Sequence, residues 1–318
     1  MENKSFKDFF NIENRTKYFL HVLAFLCVTS LAIFGLLLIG QKALLNNEKK
    51  VTANIVNPFE NIDIEAKGSV VWDVVNQREL FSKNSDLPLP LASLTKVMTV
   101  ITADANLPDG LNIKINPEYL APEGDSELIV GDTWKADDLR DFTLLTSSND
   151  GALALASVAE SRVANKEGDL QAQFIQAMND MALQIGLTNS KFFNEHGLDR
   201  EVDRGGAYGS AHDMAILFEY TLKNYPEVLE ATRYKNLQFA SAAHLYSADN
   251  TNAFVDQIPN LIASKTGFTD LAGGNLIIAY DAGLNRPIII SILGSSAEGR
   301  FTDALKLVEA SIEYINDN

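Results

Sequence analysis

Ser93 and Lys96 stand three residues apart at the start of a run, Ala92 to Ala105, whose apolar residues recur at helical spacing. On a helix that separation puts hydroxyl and amine on one face, about one turn apart. A hydroxyl is a weak nucleophile until a base takes its proton, and an uncharged lysine amine at that distance can serve as the base. A free lysine, pKa about 10.4, is almost wholly charged at neutral pH; lowering it to around 8 costs about 3 kcal/mol, which burial and a second cation can supply. Two further clusters offer compatible chemistry. In Ser147-Ser148-Asn149, lying between two helical patterns, the alternate residues Ser147 and Asn149 point the same way and present a hydroxyl for proton relay and a carboxamide for a carbonyl. Lys265-Thr266-Gly267 follows the apolar pattern of Leu261 and Ile262; on a strand Lys265 and Gly267 share a face, Thr266 points oppositely, and a glycine lets a substrate backbone approach the edge. Singly, each cluster has a plainer explanation: an N-cap followed by a surface lysine, a turn, and a strand end. Their occurrence together, with 54 residues from Ser93 to Ser147 and 118 from Ser147 to Lys265, favours one composite site.

The elements that must hold these groups can be read from the same chain. Ser69–Val75 has strand content, Asn76-Gln77-Arg78 has turn chemistry, and Glu79–Ser82 can return as the second arm of a hairpin. Helical patterns cover Asp137–Leu145, Gly151–Arg162, Leu170–Ile185 and Ala211–Leu222. Leu261–Lys265, Asn275–Tyr280 and Pro287–Leu293 read as strands, and Phe301–Ile315 as a closing helix. A hairpin, then helices, then strands and a last helix implies an α+β fold: an antiparallel sheet flanked by helices, with a helical subdomain beside it.

The longest apolar stretch, Tyr18 to Gly40, carries no formal charge over about 23 residues and would reach about 34 Å as a helix, enough to cross a bilayer. A cleaved signal peptide is the alternative, but the polar segment before it is long and no Ala-x-Ala follows. The expected organisation is a cytoplasmic tail over 1–17, a transmembrane helix over 18–40, a linker over 41–67 and a catalytic domain over 68–318. Lys4, Lys7, Arg15 and Lys17 precede the span and Lys42, Lys49 and Lys50 follow it, a slight preference for a cytoplasmic N-terminus. Beyond residue 50 the chain carries 19 basic against 38 acidic side chains, which disfavours nucleic acid and anionic lipid surfaces. Cys27, the only cysteine, lies in the apolar span, so no disulfide is available to the rest.

Ser-x-x-Lys, Ser-x-Asn and Lys-Thr-Gly in this order resemble the signature shared by class A β-lactamases and penicillin-binding proteins. The likeness covers roughly Ser69 to Ile315. Pro88 to Lys96, Asn194-Glu195-His196-Gly197-Leu198-Asp199, and Ser264 to Gly273 each resemble the low-molecular-mass D-Ala-D-Ala carboxypeptidases, a more specific match than three short motifs. That resemblance implies a β-lactamase/transpeptidase-like fold and an acyl-enzyme on Ser93 formed after Lys96 takes its proton. It further implies that Ser147 protonates the departing D-alanine, that Asn149 holds the peptide carbonyl, and that Lys265 supports electrostatics and proton traffic. The backbone N–H groups of Ser93 and Phe268, beside Gly267, would form the oxyanion hole. Arg300, with Thr266 beside it, would reach the terminal carboxylate; read without the resemblance, it is a solvent-facing residue at the start of the last helix.

By the same resemblance the partners are a peptidoglycan stem peptide, β-lactam inhibitors and, through the N-terminal helix, the bacterial cytoplasmic membrane, with the catalytic domain outside it. Ser148 stands where glycine is usual and is expected to narrow the site; Glu195 replaces the usual proline. No second β domain or C-terminal amphipathic anchor is expected, leaving anchorage to the N-terminal span.

Two rival readings share the fold. A β-lactamase needs a glutamate-activated water; Glu195 to Asp199 only superficially matches Glu-x-x-Leu-Asn, and Ser148 replaces the aspartate of Ser-Asp-Asn. A non-catalytic sensor or scaffold is disfavoured by the intact Ser93, Lys96, Ser147 and Lys265. No Gly-x-Ser-x-Gly elbow, zinc spacing or phosphate loop is present, so neither metal nor cofactor is implied.

Overall fold

The structure, a computed structural model, describes residues 12–52, 57–120, 123–124, 127–163, 169–283 and 285–317. The chain divides into two compact units, Met1–Asn57 and Pro58–Asn318. In the first unit, α1 spans Ile12–Thr52, and its stretch Phe19–Lys42, of mean hydropathy 2.8 with no part of it buried, is long and apolar enough to cross a membrane. Most of the tail expected over 1–17 lies outside the described residues.

The second unit opens with the expected hairpin, β1 (Gly68–Asp73) and β2 (Arg78–Lys83), then a short strand β3 (Leu89–Pro90), a 3-10 turn over Ala92–Leu94 and α2 (Thr95–Asp104). A two-stranded ribbon of β4 (Asn112–Lys114) and β5 (Thr133–Lys135) leads to α3 (Ala136–Thr146), α4 (Asn149–Val163) and α5 (Leu170–Ile185). Short strands β6 (Lys191–Phe192) and β7 (Ala207–Gly209) pair with β3, followed by α6 (Ala211–Asn224) and a second ribbon, β8 (Asn236–Ala240) with β9 (Leu245–Asp249). The chain finishes with β10 (Leu261–Thr269), β11 (Gly273–Asp281), β12 (Pro287–Ser295) and α7 (Gly299–Asp317).

The main sheet has the order β10-β11-β12-β1-β2, antiparallel throughout, which leaves β10 on an edge. Its central strands are apolar on both faces because both are covered. Ile288, Ile290 and Ile292 of β12 join Leu276, Ile278 and Tyr280 of β11 and Leu307 and Val308 of α7 in one core. Ile289 and Leu293 point the other way, into a larger core with Val97, Met98, Ile101, Phe218 and Leu217. Period-2 alternation thus places each neighbour in a different core, and each isoleucine so buried contributes roughly 1.5–3 kcal/mol. The helical subdomain is organised around Trp134, fully buried against Phe142 and Tyr246 at centroid distances of 5.1 and 4.6 Å.

The linker expected over 41–67 is corrected on both sides. α1 continues to Thr52, residues 53–56 lie outside the described residues, and the compact unit begins at Pro58 rather than residue 68. Phe59, Ile64 and Ala66 are buried in the α7 core, and the Asp303 carboxylate accepts the backbone N–H groups of Glu65 and Ala66, each at 3.0 Å. An irregular segment pinned by single contacts has no periodicity to reveal it.

Candidate active site

Ser93 is presented by a strained turn. Ala92 immediately before it has φ +48°, a left-handed conformation that a residue with a Cβ adopts at a cost. The turn is clamped from two sides. Gly197 packs so closely that a Cβ there would run into the Ala92 carbonyl, and a Cβ on Gly267 would lie 2.9 Å from Leu91 O and 3.1 Å from the Ser93 nitrogen. Edge strand β10 therefore lies directly against the backbone amide of Ser93, so the neighbour that needs the glycine at 267 is the chain's own serine turn, where a substrate backbone was expected.

Lys96, on the first turn of α2, is fully buried and not a surface lysine. Its Nζ is 2.9 Å from Ser93 Oγ and donates to Asn149 Oδ1 and to the His196 carbonyl, each at 2.7 Å. Burial pushes Lys96 down to about 7, against the opposing pull of Glu195 and then Asp150. As an ammonium it donates to all three oxygens; having lost one proton it keeps the donations to Asn149 and His196 and accepts the proton of Ser93.

A second lysine–serine pair faces the first. Ser147 ends α3 in a left-handed conformation, φ +62°, which turns its side chain out of the helix. Lys265 on β10, also buried, donates to Ser147 Oγ and to the Thr266 carbonyl, each at 2.8 Å. Burial, then the charges of Lys96 and Arg300, hold Lys265 well below the usual lysine range. The structure thus brings Ser93, Lys96, Ser147, Asn149, Lys265 and Gly267 together.

The remaining expected residues border this group. Thr266 faces oppositely to Lys265, its hydroxyl 2.5 Å from that of Thr251. Phe268 follows on β10 and is 51% exposed. Arg300, at the start of α7, donates from Nη1 to the Gly267 carbonyl at 2.8 Å and stacks on Phe301 rather than facing solvent; its buried Nε has no partner, and burial lowers its pKa. Beyond Phe268 opens a cleft of ≈ 650 Å³ lined by Glu123, His196, Leu198, Asp199, Phe268 and Thr269 among others.

Ser148 is corrected. Its hydroxyl accepts the backbone N–H of Gly151 at 2.8 Å and caps α4, so it faces the helix it begins and does not narrow the groove. Three contributors were missed by the sequence reading: the His196 carbonyl, the Thr251 hydroxyl, and the Glu123 carbonyl, which accepts from Asn149 Nδ2 at 2.5 Å. Two of these are backbone groups, which no residue type announces; Thr251, in Asn250-Thr251-Asn252, reads as a plain turn. Among the described residues no His, Cys, Asp and Glu are grouped to hold a metal ion.

Residues 52–297 match the family model described as D-alanyl-D-alanine carboxypeptidase. The chain is 28% identical over 253 residues to the D-alanyl-D-alanine carboxypeptidase DacF of Bacillus subtilis, covering 77% of this chain and 61% of that protein. It is 27% identical over 254 residues to the D-alanyl-D-alanine endopeptidase of Escherichia coli, covering 77% and 76%. Among solved structures, an ampicillin-bound penicillin-binding protein from Listeria monocytogenes aligns with a TM-score of 0.66 and 28% identity over 79% of this chain and 98% of that one. The D-alanyl-D-alanine carboxypeptidase of Mycobacterium tuberculosis shares the fold at a TM-score of 0.70 and 23% identity, over 81% and 96%. The chain spans about three fifths of the length of the first curated relatives it matches, 61% of each of two. With the family model covering most of the chain and the same α+β architecture in its structural neighbours, the protein belongs to the D-alanyl-D-alanine carboxypeptidase family.

Proposed function

We propose that this protein is a serine D-alanyl-D-alanine carboxypeptidase that removes the terminal D-alanine from peptidoglycan stem pentapeptides. The observation that carries the reading is the Lys96 amine, buried and pushed down to about 7, 2.9 Å from the Ser93 hydroxyl. Ser93 Oγ attacks the carbonyl of the penultimate residue as its proton passes to Lys96, and the backbone N–H groups of Ser93 and Phe268 receive the developing oxyanion, each such donor being worth about 3 kcal/mol of barrier. Ser147, fed by Lys265, delivers a proton to the departing amine, the C–N bond breaks, and D-alanine leaves an ester on Ser93. Water then hydrolyses the ester and restores the hydroxyl. Asn149 Nδ2 would exchange the Glu123 carbonyl for the substrate carbonyl, and Arg300 with Thr266 would receive the terminal carboxylate at the Gly267 end of β10.

β-Lactams would acylate Ser93 by the same route and hydrolyse slowly. A β-lactamase needs a carboxylate that aims water at the ester, whereas the Glu195 side chain is 1% exposed and is held by Gln171 Nε2 at 3.2 Å. A second reading, supported by the Escherichia coli endopeptidase relative, is cleavage of D-Ala crosslinks, which changes only the leaving group. The Phe19–Lys42 span would anchor the chain in the bacterial cytoplasmic membrane as a single pass, with residues 58–318 outside.

The test is incubation of the full chain in detergent with a pentapeptide ending in D-Ala-D-Ala and with a crosslinked dimer. Release of D-alanine by the wild type and not by Ser93→Ala is expected. Equal release by both proteins, or none by a folded wild type that also fails to label with a fluorescent penicillin, overturns the proposal.

A further inference from the structure

The Thr251 hydroxyl touches the site without a task in the acylation scheme. It lies in the turn Asn250-Thr251-Asn252, between β9 and β10, 2.5 Å from the Thr266 hydroxyl. The turn is hung between the two elements that carry Ser147 and Lys265. On the α3 side, the Thr251 backbone N–H donates at 3.2 Å to the carbonyl of Leu145, close before Ser147. On the β10 side, Asn250 Nδ2 donates to the carbonyls of Thr232 and Tyr234 at 2.8 and 2.9 Å. Thr232 is bonded in turn to Ser264 of β10: its hydroxyl accepts the Ser264 N–H and its carbonyl accepts the Ser264 hydroxyl, each at 3.0 Å. Asn250 Oδ1 accepts the Asn252 N–H at 2.8 Å and Asn252 Oδ1 the Phe254 N–H at 3.0 Å, so the asparagines close the turn on its own backbone.

None of these ties uses the Thr251 side chain. Any residue but proline supplies a backbone N–H, so the scaffold accounts for where position 251 stands and not for a hydroxyl there. Among the described residues, the hydroxyls of Thr251 and Thr266 have no hydrogen-bond partner but each other. A hydroxyl has one proton to donate and two lone pairs to accept with. Two hydroxyls in contact therefore hold one proton between them and leave the second to point at another acceptor. Thr266 adjoins Gly267, whose carbonyl takes Arg300 Nη1 at 2.8 Å, and Arg300 with Thr266 is the pair assigned above to the terminal carboxylate. Once the single Thr266 proton goes to that carboxylate, the contact with Thr251 survives only with Thr251 as the donor.

We propose that Thr251 is a positioning residue for recognition of the substrate's terminal carboxylate: its hydroxyl donates to Thr266 and so commits the single Thr266 proton to the carboxylate. A hydroxyl that accepts one hydrogen bond while donating another is polarised into a stronger donor, and an anionic acceptor gains most from that. Thr251 therefore sharpens the preference for a free C-terminus. It acts on acylation alone, because the carboxylate leaves with D-alanine before the ester is hydrolysed. The inference rests on Arg300 and Thr266 receiving the carboxylate, as proposed above.

The experiment compares kcat/KM of the full chain in detergent on a pentapeptide ending in D-Ala-D-Ala and on the same peptide with a C-terminal carboxamide. Thr251→Val keeps the shape and removes the hydroxyl. Its carboxylate-over-carboxamide ratio is expected to fall about three- to tenfold, the range of one hydrogen bond, in kcat/KM and not in the rate of ester hydrolysis. Thr251→Ser, which keeps the donor, restores most of the ratio, and Thr251→Ala repeats the loss should valine fit poorly. In a Thr266→Val background, Thr251→Val lowers the ratio no further. An unchanged ratio, an equal loss on both peptides, or a loss that adds to that of Thr266→Val overturns the proposal. The same ratio is read without chemistry as Kd, by NMR titration of both peptides with Ser93→Ala protein that carries or lacks Thr251→Val. A folded wild type that cleaves neither peptide refutes the carboxypeptidase reading, and the Kd ratio then decides the role of Thr251 by itself.

Discussion

Replacing Lys96 by methionine separates what this residue does for reactivity from what it costs the fold. The side chain is fully buried and its pKa falls from 10.5 to about 7, which corresponds to ~5 kcal/mol of destabilised ammonium at about 1.4 kcal/mol per pH unit. The folded pKa lies below the unfolded one, so between pH 7 and 10.5 the unfolded chain binds more protons and stability rises with pH; below about 7 the penalty is fully present. Methionine fills similar volume without charge. It leaves the His196 carbonyl without its lysine donor, at about 1–3 kcal/mol, while Asn149 Oδ1 is only half-buried. The net expectation at pH 6 is a gain of about 2 kcal/mol in unfolding free energy.

Reactivity moves the opposite way. At pH 7 about half of the Lys96 amine is free, against about three parts in ten thousand for an ordinary lysine. The pocket therefore supplies a factor of about 10³ in available base, and loss of the base costs about 10²–10⁴ in acylation. Urea denaturation at pH 6 and pH 9, run beside penicillin labelling of wild type and Lys96→Met, measures both quantities. A variant no more stable than wild type at pH 6, with the same stability difference at pH 9, would refute a lysine kept uncharged by burial. Labelling that survives within tenfold would refute its role as base.

Two further outcomes can be checked directly. Wild type should prefer a C-terminal carboxylate over the carboxamide by about 10- to 100-fold in kcat/KM, as a hydrogen bond to a charged group is worth about 1.5–3 kcal/mol, and Arg300→Gln should erase that preference; an unchanged ratio assigns Arg300 to structure alone. Asp132 Oδ2 accepts Ser241 Oγ at 2.5 Å, Tyr246 Oη at 2.9 Å and His244 Nδ1 at 3.0 Å, so Asp132→Asn should lower stability by about 1–3 kcal/mol. These hydrogen bonds hold Asp132 down to about 2 despite burial, so its contribution is complete above the ordinary aspartate range near 3.8 and is lost as pH falls through about 2; a wild-type and variant difference that persists undiminished at pH 2 contradicts that account.

Local chemistry carried much of this protein's architecture. The β1–β2 hairpin, α2 to α7 and the three long strands lie where periodicity and turn residues put them, since each buries one face or two and writes that burial into its spacing. The short ribbons β4–β5 and β8–β9 and the packing of 58–67 left no such trace, because a strand of three to five residues or a pinned loop is held by tertiary partners such as Asp132 and Asp303. Residue types and order likewise named Ser93, Lys96, Ser147, Asn149 and Lys265 as one site. Only the tertiary structure decided that Lys96 is dry, that Ser148 caps a helix, and that the His196 carbonyl steers the amine. Protonation depends on what surrounds a group across all elements packed against it, and sequence spacing reports only the neighbours along one of them.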